Sequence, residues 1–189
     1  MLSKLFFALA ALAVPVKAED PRVFRVAVVC AEELVCDRLA QVWLQGAHHF
    51  ESDLGRKVRF ESMIILNPRA YSEQGVLEIK RNVDLIVGFV DVLERPEILG
   101  RASGIAVIGA QPSSIFIAVR SHDSAYGIAQ TIHHELGHVF GARHTDMGAM
   151  FWAAQSMCTG FSEESVKAIR AHLNSLPPSG FLDDTLHSS

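Results

Sequence analysis

Cysteine is scarce in this sequence, and there is no excess of positive charge. The 189 residues include three cysteines, 17 lysines and arginines, and 21 aspartates and glutamates, which gives a formal net charge of −4 at pH 7. Three cysteines form at most one internal disulfide, so a fold held together mainly by disulfides is excluded. The mildly negative charge, without a basic cluster, gives no indication of nucleic-acid binding.

Long hydrophobic runs are also missing after the first twenty residues. The early apolar run, Leu5 to Val14, is too short to span a bilayer. Lys4 precedes it, and Val16-Lys17-Ala18 has the small residues typical of a signal-peptidase site. We therefore expect residues 1–18 to be a secretory signal peptide and the protein to be secreted, extracellular or periplasmic. Membrane anchoring by this N-terminal segment is the alternative.

The three cysteines leave their pairing open. Cys36 lies on the apolar side of a predicted helix, where a small buried thiol is an acceptable hydrophobic residue. It can also form a disulfide with Cys30 or with Cys158. One thiol is left over in every case.

Predicted strands and helices alternate along the chain from residue 23. The 83–90 segment is apolar apart from Asp84, as expected of a central strand covered on both faces. The alternation predicts an α/β fold with a mostly parallel sheet, and residues 19–189 are enough for one domain with a substantial core. The predicted strands cover 23–30, 57–66, 83–90, 104–109 and 114–120, and the predicted helices cover 32–50, 71–81, 122–140 and 166–173.

The most informative segment is His134-Glu135-Leu136-Gly137-His138-Val139-Phe140-Gly141-Ala142-Arg143-His144. His134 and His138 are four residues apart, so on a helix both point to one side. Gly141 tolerates the left-handed conformation that ends a helix, and the chain can then turn and bring in His144. Three histidine ligands leave the fourth position of a zinc ion for water, which is the mark of a catalytic site.

Glu135 follows the first histidine and lies about 100° round the helix from it. It is therefore close to the metal without having to bind it, as a general base must be. The sequence predicts one Zn²⁺ per chain, held by His134, His138 and His144, with Glu135 as the catalytic residue. Cys158 as a fourth ligand would close the site, and is the less favoured alternative.

The extended motif resembles the signature of the metzincin metallopeptidases, in which a methionine turn follows the third histidine. The stretch from Ser156 to Ser165, with Met157 followed by Phe161-Ser162, looks like the adamalysin/reprolysin-like branch. The resemblance implies that Met157, in preference to Met150, is the turn methionine that forms an apolar floor beneath the metal.

The same resemblance implies a metzincin-like zincin with a mixed, mostly parallel five-stranded sheet, an active-site helix, a Met-turn and a C-terminal helix. The catalytic domain would divide into an upper part (19–141), a lower part (142–176) and a loose tail (177–189). Its fourth strand would be an antiparallel edge along the cleft. We expect that edge to bind substrate backbone, through Gly104, Ile105, Ala106, Val107 and Ile108.

These features together predict a secreted, monomeric zinc-dependent endopeptidase that acts on peptides or proteins. Two alternatives remain open at this point. One is a secreted zinc-binding module that recognises a peptide or partner without cutting it. The other is a zinc hydrolase of a non-peptide amide. Neither nucleic acid nor a membrane span is expected after signal cleavage.

Overall fold

The computed structural model describes residues 21–55, 57–79, 82–91, 93, 103–109, 112–119, 124–151 and 160–176. The predicted signal peptide, the tail from residue 177, Met157 and Cys158 lie outside these ranges. Five strands and four helices occupy the described residues. They are β1 (Arg22–Cys30), α1 (Glu33–Asp53), β2 (Val58–Leu66), α2 (Glu73–Leu77), β3 (Leu85–Val90), β4 (Gly104–Val107), β5 (Ser113–Ala118), α3 (Ala125–Val139) and α4 (Glu163–Ser175).

The five strands form one mixed sheet in the order β2-β1-β3-β5-β4. Four of them run parallel, and β4 pairs antiparallel with β5 at the edge, with Gly104 opposite Ile117 and Val107 opposite Ser114. All residues of β3 and β5 are buried, as an apolar central run predicts. The predicted α/β class, strand number and largely parallel sheet are confirmed.

Some element boundaries differ from the sequence predictions, because a turn residue or a capping side chain sets them. Strand β4 is shorter than predicted, because the chain leaves extended geometry at Gly109, whose φ is +85°. Helix α4 begins earlier than predicted, since Ser162 caps it and accepts a hydrogen bond from the Ser165 N–H. Helix α2 begins at Glu73, later than predicted, because Ser72 is its cap and accepts a hydrogen bond from the Gly75 N–H.

The alternation of side chains along β1 creates a core on each face of the sheet. Phe24, Val26 and Val28 belong to the larger core, which α1, α3 and α4 cover. Ala27 and Val29 belong to a smaller core on the α2 side. The larger core contains a cluster of aromatic rings, and the apolar side of α3 packs in the same core.

Helices α1 and α3 approach each other closely at Gly46. A Cβ atom at this position would lie 2.8 Å from the carbonyl oxygen of Ala129 and 2.7 Å from Cγ2 of Ile132. The absence of a side chain at Gly46 therefore lets α1 pack onto the face of α3 that is turned to the core.

A disulfide joins Cys30, the last residue of β1, to Cys36 in the first turns of α1, with the two Cα atoms 5.5 Å apart. Of the pairings that the sequence left open, the structure therefore has Cys30 with Cys36. Among the helices of the described residues, none combines the length and apolarity needed to cross a lipid bilayer.

Candidate metal centre and active site

Helix α3 carries the first two motif histidines, and its two ends follow from local sequence. Ser124 caps the start, with its Oγ accepting the Gly127 N–H at 3.1 Å. After Val139 the chain turns at Gly141, whose φ is +90°. The Ala142 N–H then donates to the carbonyl oxygen of Gly137 at 2.8 Å, as in a glycine-terminated helix end. This turn brings His144 back towards the helix, as the sequence predicts.

The three motif histidines converge on one point. Nε2 of His138 lies 3.1 Å from Nε2 of His134 and 3.1 Å from Nε2 of His144. In a tetrahedral zinc site with bonds of about 2.0–2.1 Å, the ligand nitrogens are about 3.3 Å apart, so the spacing fits a shared ion. Among the described residues, no other group of three histidine, cysteine or acidic side chains is arranged to hold a metal.

The second nitrogen of two of these rings is held by the backbone. Nδ1–H of His134 donates to the carbonyl oxygen of Ala149 at 2.6 Å, and Nδ1–H of His138 donates to that of Ala142 at 3.0 Å. Because a carbonyl oxygen only accepts, Nδ1 carries the proton in both rings and Nε2 presents its lone pair. The donor set therefore fits a divalent metal ion that prefers imidazole.

Burial keeps the same rings neutral. It lowers the pKa of His134 to about 4, an effect that the hydrogen bond to Ala149 partly opposes. It also lowers the pKa of His138. A neutral imidazole is the form that binds a metal, so both rings have free lone pairs at neutral pH. His144 is the exposed member of the three.

Glu135 lies beneath the edge strand and is only 5% exposed. Burial raises the pKa of Glu135 to about 8, and a hydrogen bond from the Ala106 backbone N–H acts in the opposite direction. The structure thus brings the carboxyl group together with β4, which the sequence assigned separately to substrate binding. A buried carboxyl with a raised pKa is suited to exchanging protons near neutral pH.

Met150 lies behind the metal-binding helix and is fully buried. It belongs to a tight loop in which the Thr145 N–H donates to the Met150 carbonyl at 3.0 Å, and the Ala149 N–H donates to the Gly160 carbonyl at 2.8 Å. The same loop supplies the carbonyl that holds His134. Met157, the methionine favoured from the sequence, lies outside the described residues, so its role stays a prediction.

One supporting residue could not be found from the motif. Oδ2 of Asp53, at the end of α1, accepts the Phe161 N–H at 2.9 Å and lies 3.1 Å from Nε2 of His133. Asp53 and Phe161 are 108 residues apart. No local pattern links them, and only the fold brings them together.

Comparison with known proteins places the site in a family. The model of the metallopeptidase family M12B, reprolysin-like, matches residues 38–145, which is more than half of the chain. The chain belongs to this family. The metallopeptidase therefore carries its family's motif on the helix and turn where the three imidazoles converge, and the resemblance noted in the sequence is confirmed.

Solved structures similar to this metallopeptidase are also zincins. An archaemetzincin from Methanopyrus kandleri superposes with a TM-score of 0.62 at 16% identity, over 84% of this chain and 99% of that one. Metalloproteinase-II from Bacteroides fragilis gives 0.54 at 15% identity, over 84% of this chain and 55% of that one. At these identities the likeness concerns the fold. Comparison with curated proteins finds no match.

Proposed function

We propose that this metallopeptidase is a secreted, monomeric zinc endopeptidase of the metzincin type, which cleaves internal bonds of peptides or proteins. The observation that carries the proposal is the convergence of His134, His138 and His144 beside a buried glutamate. Neutral imidazole nitrogens at this spacing suit zinc, with one ion per chain. Three protein ligands also leave a coordination position for the reaction.

His134, His138 and His144 would hold the zinc ion, which when bound would supply Lewis acidity towards the scissile carbonyl and towards water. Glu135 is the residue that we assign to proton transfer. It takes a proton from the attacking water and delivers it to the leaving amine, so that the amine departs neutral.

The edge position of β4 in the sheet of the described residues supports a peptide as the substrate. The strand pairs with β5 on one side, and an extended peptide can add to the other side by main-chain hydrogen bonds. Gly104, Ile105, Ala106, Val107 and Ile108 form this segment, and Ile108 at its end is 60% exposed. An extended backbone is what distinguishes a peptide from a small amide, so the edge favours peptide hydrolysis over the alternative.

Secretion is supported by the disulfide and by the sequence of the first 18 residues. A disulfide such as Cys30–Cys36 persists in an oxidising compartment. Peptide mapping of the protein exported by its native host tests both points, since it identifies the N-terminal residue and the Cys30–Cys36 linkage. An N-terminus at residue 1, or both cysteines as free thiols, contradicts the proposal.

The function is tested by digesting a library of peptides with the protein loaded with zinc, and by identifying the products by mass spectrometry. We expect internal cleavage that a chelator abolishes and added zinc restores. Glu135→Gln should bind one zinc and lose about 10²–10⁴-fold in activity. Glu61→Gln, at an exposed glutamate of β2, is the matched control and should cleave normally. Zinc-loaded protein that binds peptides without cutting them, or an active Glu135→Gln variant, would overturn the proposal.

A further inference from the structure

The backbone N–H and C=O groups of β4 point alternately towards β5 and away from it. The Ala118 N–H donates to the Ser103 carbonyl at 3.0 Å, so the N–H and C=O of Ser103 face β5. In an antiparallel pair this direction alternates with every residue. The groups of Gly104 and Ala106 therefore face away from β5, towards the cleft.

One of these outward donors is already engaged. The Ala106 N–H hydrogen-bonds the carboxylate of Glu135. A peptide strand that adds to β4 cannot use that N–H while Glu135 holds it. The outward carbonyls, and the N–H of Ile108 by the same alternation, remain for the peptide.

The contact between β4 and α3 requires glycine at position 104. A Cβ atom on Gly104 would lie 2.5 Å from Cγ2 of Thr131 and 2.9 Å from both Cγ and Oε1 of Glu135. These distances are shorter than van der Waals contact, so a methyl group there displaces the glutamate, the threonine or the strand. Gly104 thus forms one wall of the space that the Glu135 side chain occupies.

Given the proposed function, we propose that the edge strand positions the catalytic glutamate: the Ala106 N–H fixes the Glu135 carboxylate, and Gly104 limits where its side chain can lie. A free glutamate side chain has several rotamers, and ordering it costs conformational entropy. The amide and the glycine order it before substrate arrives. Strand β4 then has two tasks, one towards the glutamate and one towards the peptide.

The first test needs no turnover and no metal. Amide hydrogen exchange of the zinc-free protein is followed by NMR in wild type, Glu135→Ala and Glu135→Gln. Loss of the acceptor in Glu135→Ala should speed exchange of the Ala106 amide at least about tenfold. Glu135→Gln keeps an acceptor oxygen and should preserve protection. The amides of Ile105 and Val107, which face β5, are internal controls. Equal Ala106 exchange in wild type and Glu135→Ala would overturn the proposal.

The second test separates positioning from substrate pairing. Proline is tolerated where an edge N–H does not enter the ladder, so Ala106→Pro and Ile108→Pro keep the β4–β5 pairing. We expect Ala106→Pro to lower kcat about 10–100-fold with little change in KM. Ile108→Pro should mainly raise KM. Zinc affinity, measured by competition with a chromophoric chelator, should be unchanged in both. An Ala106→Pro variant that changes only KM contradicts the proposal.

A pair of glycine variants provides the third test. Gly104→Ala and Gly46→Ala each insert a methyl group against α3. The first does so on the side of Glu135, and the second on the side that faces the core. Both should lower the melting temperature, but only Gly104→Ala should lower kcat, by at least about tenfold. Normal kcat in a folded Gly104→Ala variant speaks against the proposal. If the wild type cleaves no peptide, the proposed function fails by itself, and the exchange rates still decide whether Glu135 holds the Ala106 amide.

Discussion

The backbone of α3 at Gly137 lies directly against the sulfur of Met150. A Cβ atom at Gly137 would collide with Sδ of Met150 and would lie 2.8 Å from Cε1 of the Phe161 ring. Glycine within a helix costs up to about 1 kcal/mol relative to alanine. Its presence between two metal-binding histidines therefore has a packing reason, because it lets the loop after His144 approach the helix.

Gly137→Ala should destabilise the protein, although alanine is the better helix former. The gain in helix propensity is at most about 1 kcal/mol, while overpacking a tight contact costs about 1–3 kcal/mol. Displacement of Met150 would also move Ala149, whose carbonyl orients His134, so zinc affinity should fall about 10–100-fold. Urea unfolding in chelator and a zinc competition titration measure the two effects. A more stable variant with unchanged affinity contradicts this account.

Truncation of Met150 should be costly, and a conservative change should not be. Because the side chain is fully buried, Met150→Ala should lose about 2–5 kcal/mol of unfolding free energy. Met150→Leu nearly conserves volume and should lose less than about 1.5 kcal/mol. Both values come from denaturant unfolding of the zinc-free protein. Equal stability of Met150→Ala and wild type would mean that this loop does not pack as described.

The leucine variants also decide which methionine forms the floor of the site. The resemblance to reprolysin-like enzymes favours Met157, so Met157→Leu should weaken zinc binding more than Met150→Leu does. The reverse order would assign the role to Met150. The two substitutions are matched in chemistry, and zinc affinity is the quantity compared.

Much of the metal site is predictable because its information is local. His134, His138 and His144 lie within eleven residues, and their convergence needs only helical spacing and a glycine that turns the chain. The sheet is predictable for a similar reason, since apolar runs that alternate with amphipathic segments leave few arrangements.

The contacts that hold the site in place are not predictable from sequence, because each of them joins segments that are distant along the chain. The contact of Glu135 with Ala106, and that of Gly104 with Thr131, depend on how β4 is placed over α3. Neither residue type nor spacing specifies that placement. Glycine has no side chain to reveal a periodicity, so the tight packing at Gly104 leaves no pattern to read.

The buried carboxyl predicts how stability of the zinc-free protein depends on pH. The pKa of Glu135 rises from 4.5 to about 8 on folding, so its contribution to stability is present below pH 4.5 and is lost as the pH rises towards 8. His134, whose pKa falls to about 4, acts in the opposite sense and costs stability as the pH falls below 6.5.

Glu135→Gln removes the loss of stability that ionisation of Glu135 causes as the pH rises, and it leaves the effect of His134 on stability unchanged. Relative to wild type, the variant should gain at least about 1 kcal/mol in unfolding free energy between pH 5 and pH 8. Urea denaturation in chelator at both pH values measures the difference, with Glu61→Gln as the control for loss of a surface carboxylate. A constant difference between Glu135→Gln and wild type would show that Glu135 ionises equally easily in both states.

Asp53 should matter for stability far more than its position at a helix end suggests. Its Oδ2 accepts the Phe161 N–H, and loss of the acceptor leaves a partly buried amide without a partner, which costs about 1–3 kcal/mol. Asp53→Ala should show that loss in urea unfolding of the zinc-free protein. Asp53→Asn keeps an oxygen acceptor and should retain more than half of the unfolding free energy that Asp53→Ala loses. Asp37→Ala, at an exposed site on α1, should be close to neutral. If Asp53→Ala and Asp37→Ala proved equally stable, the link between α1 and the segment that follows the metal site would contribute nothing.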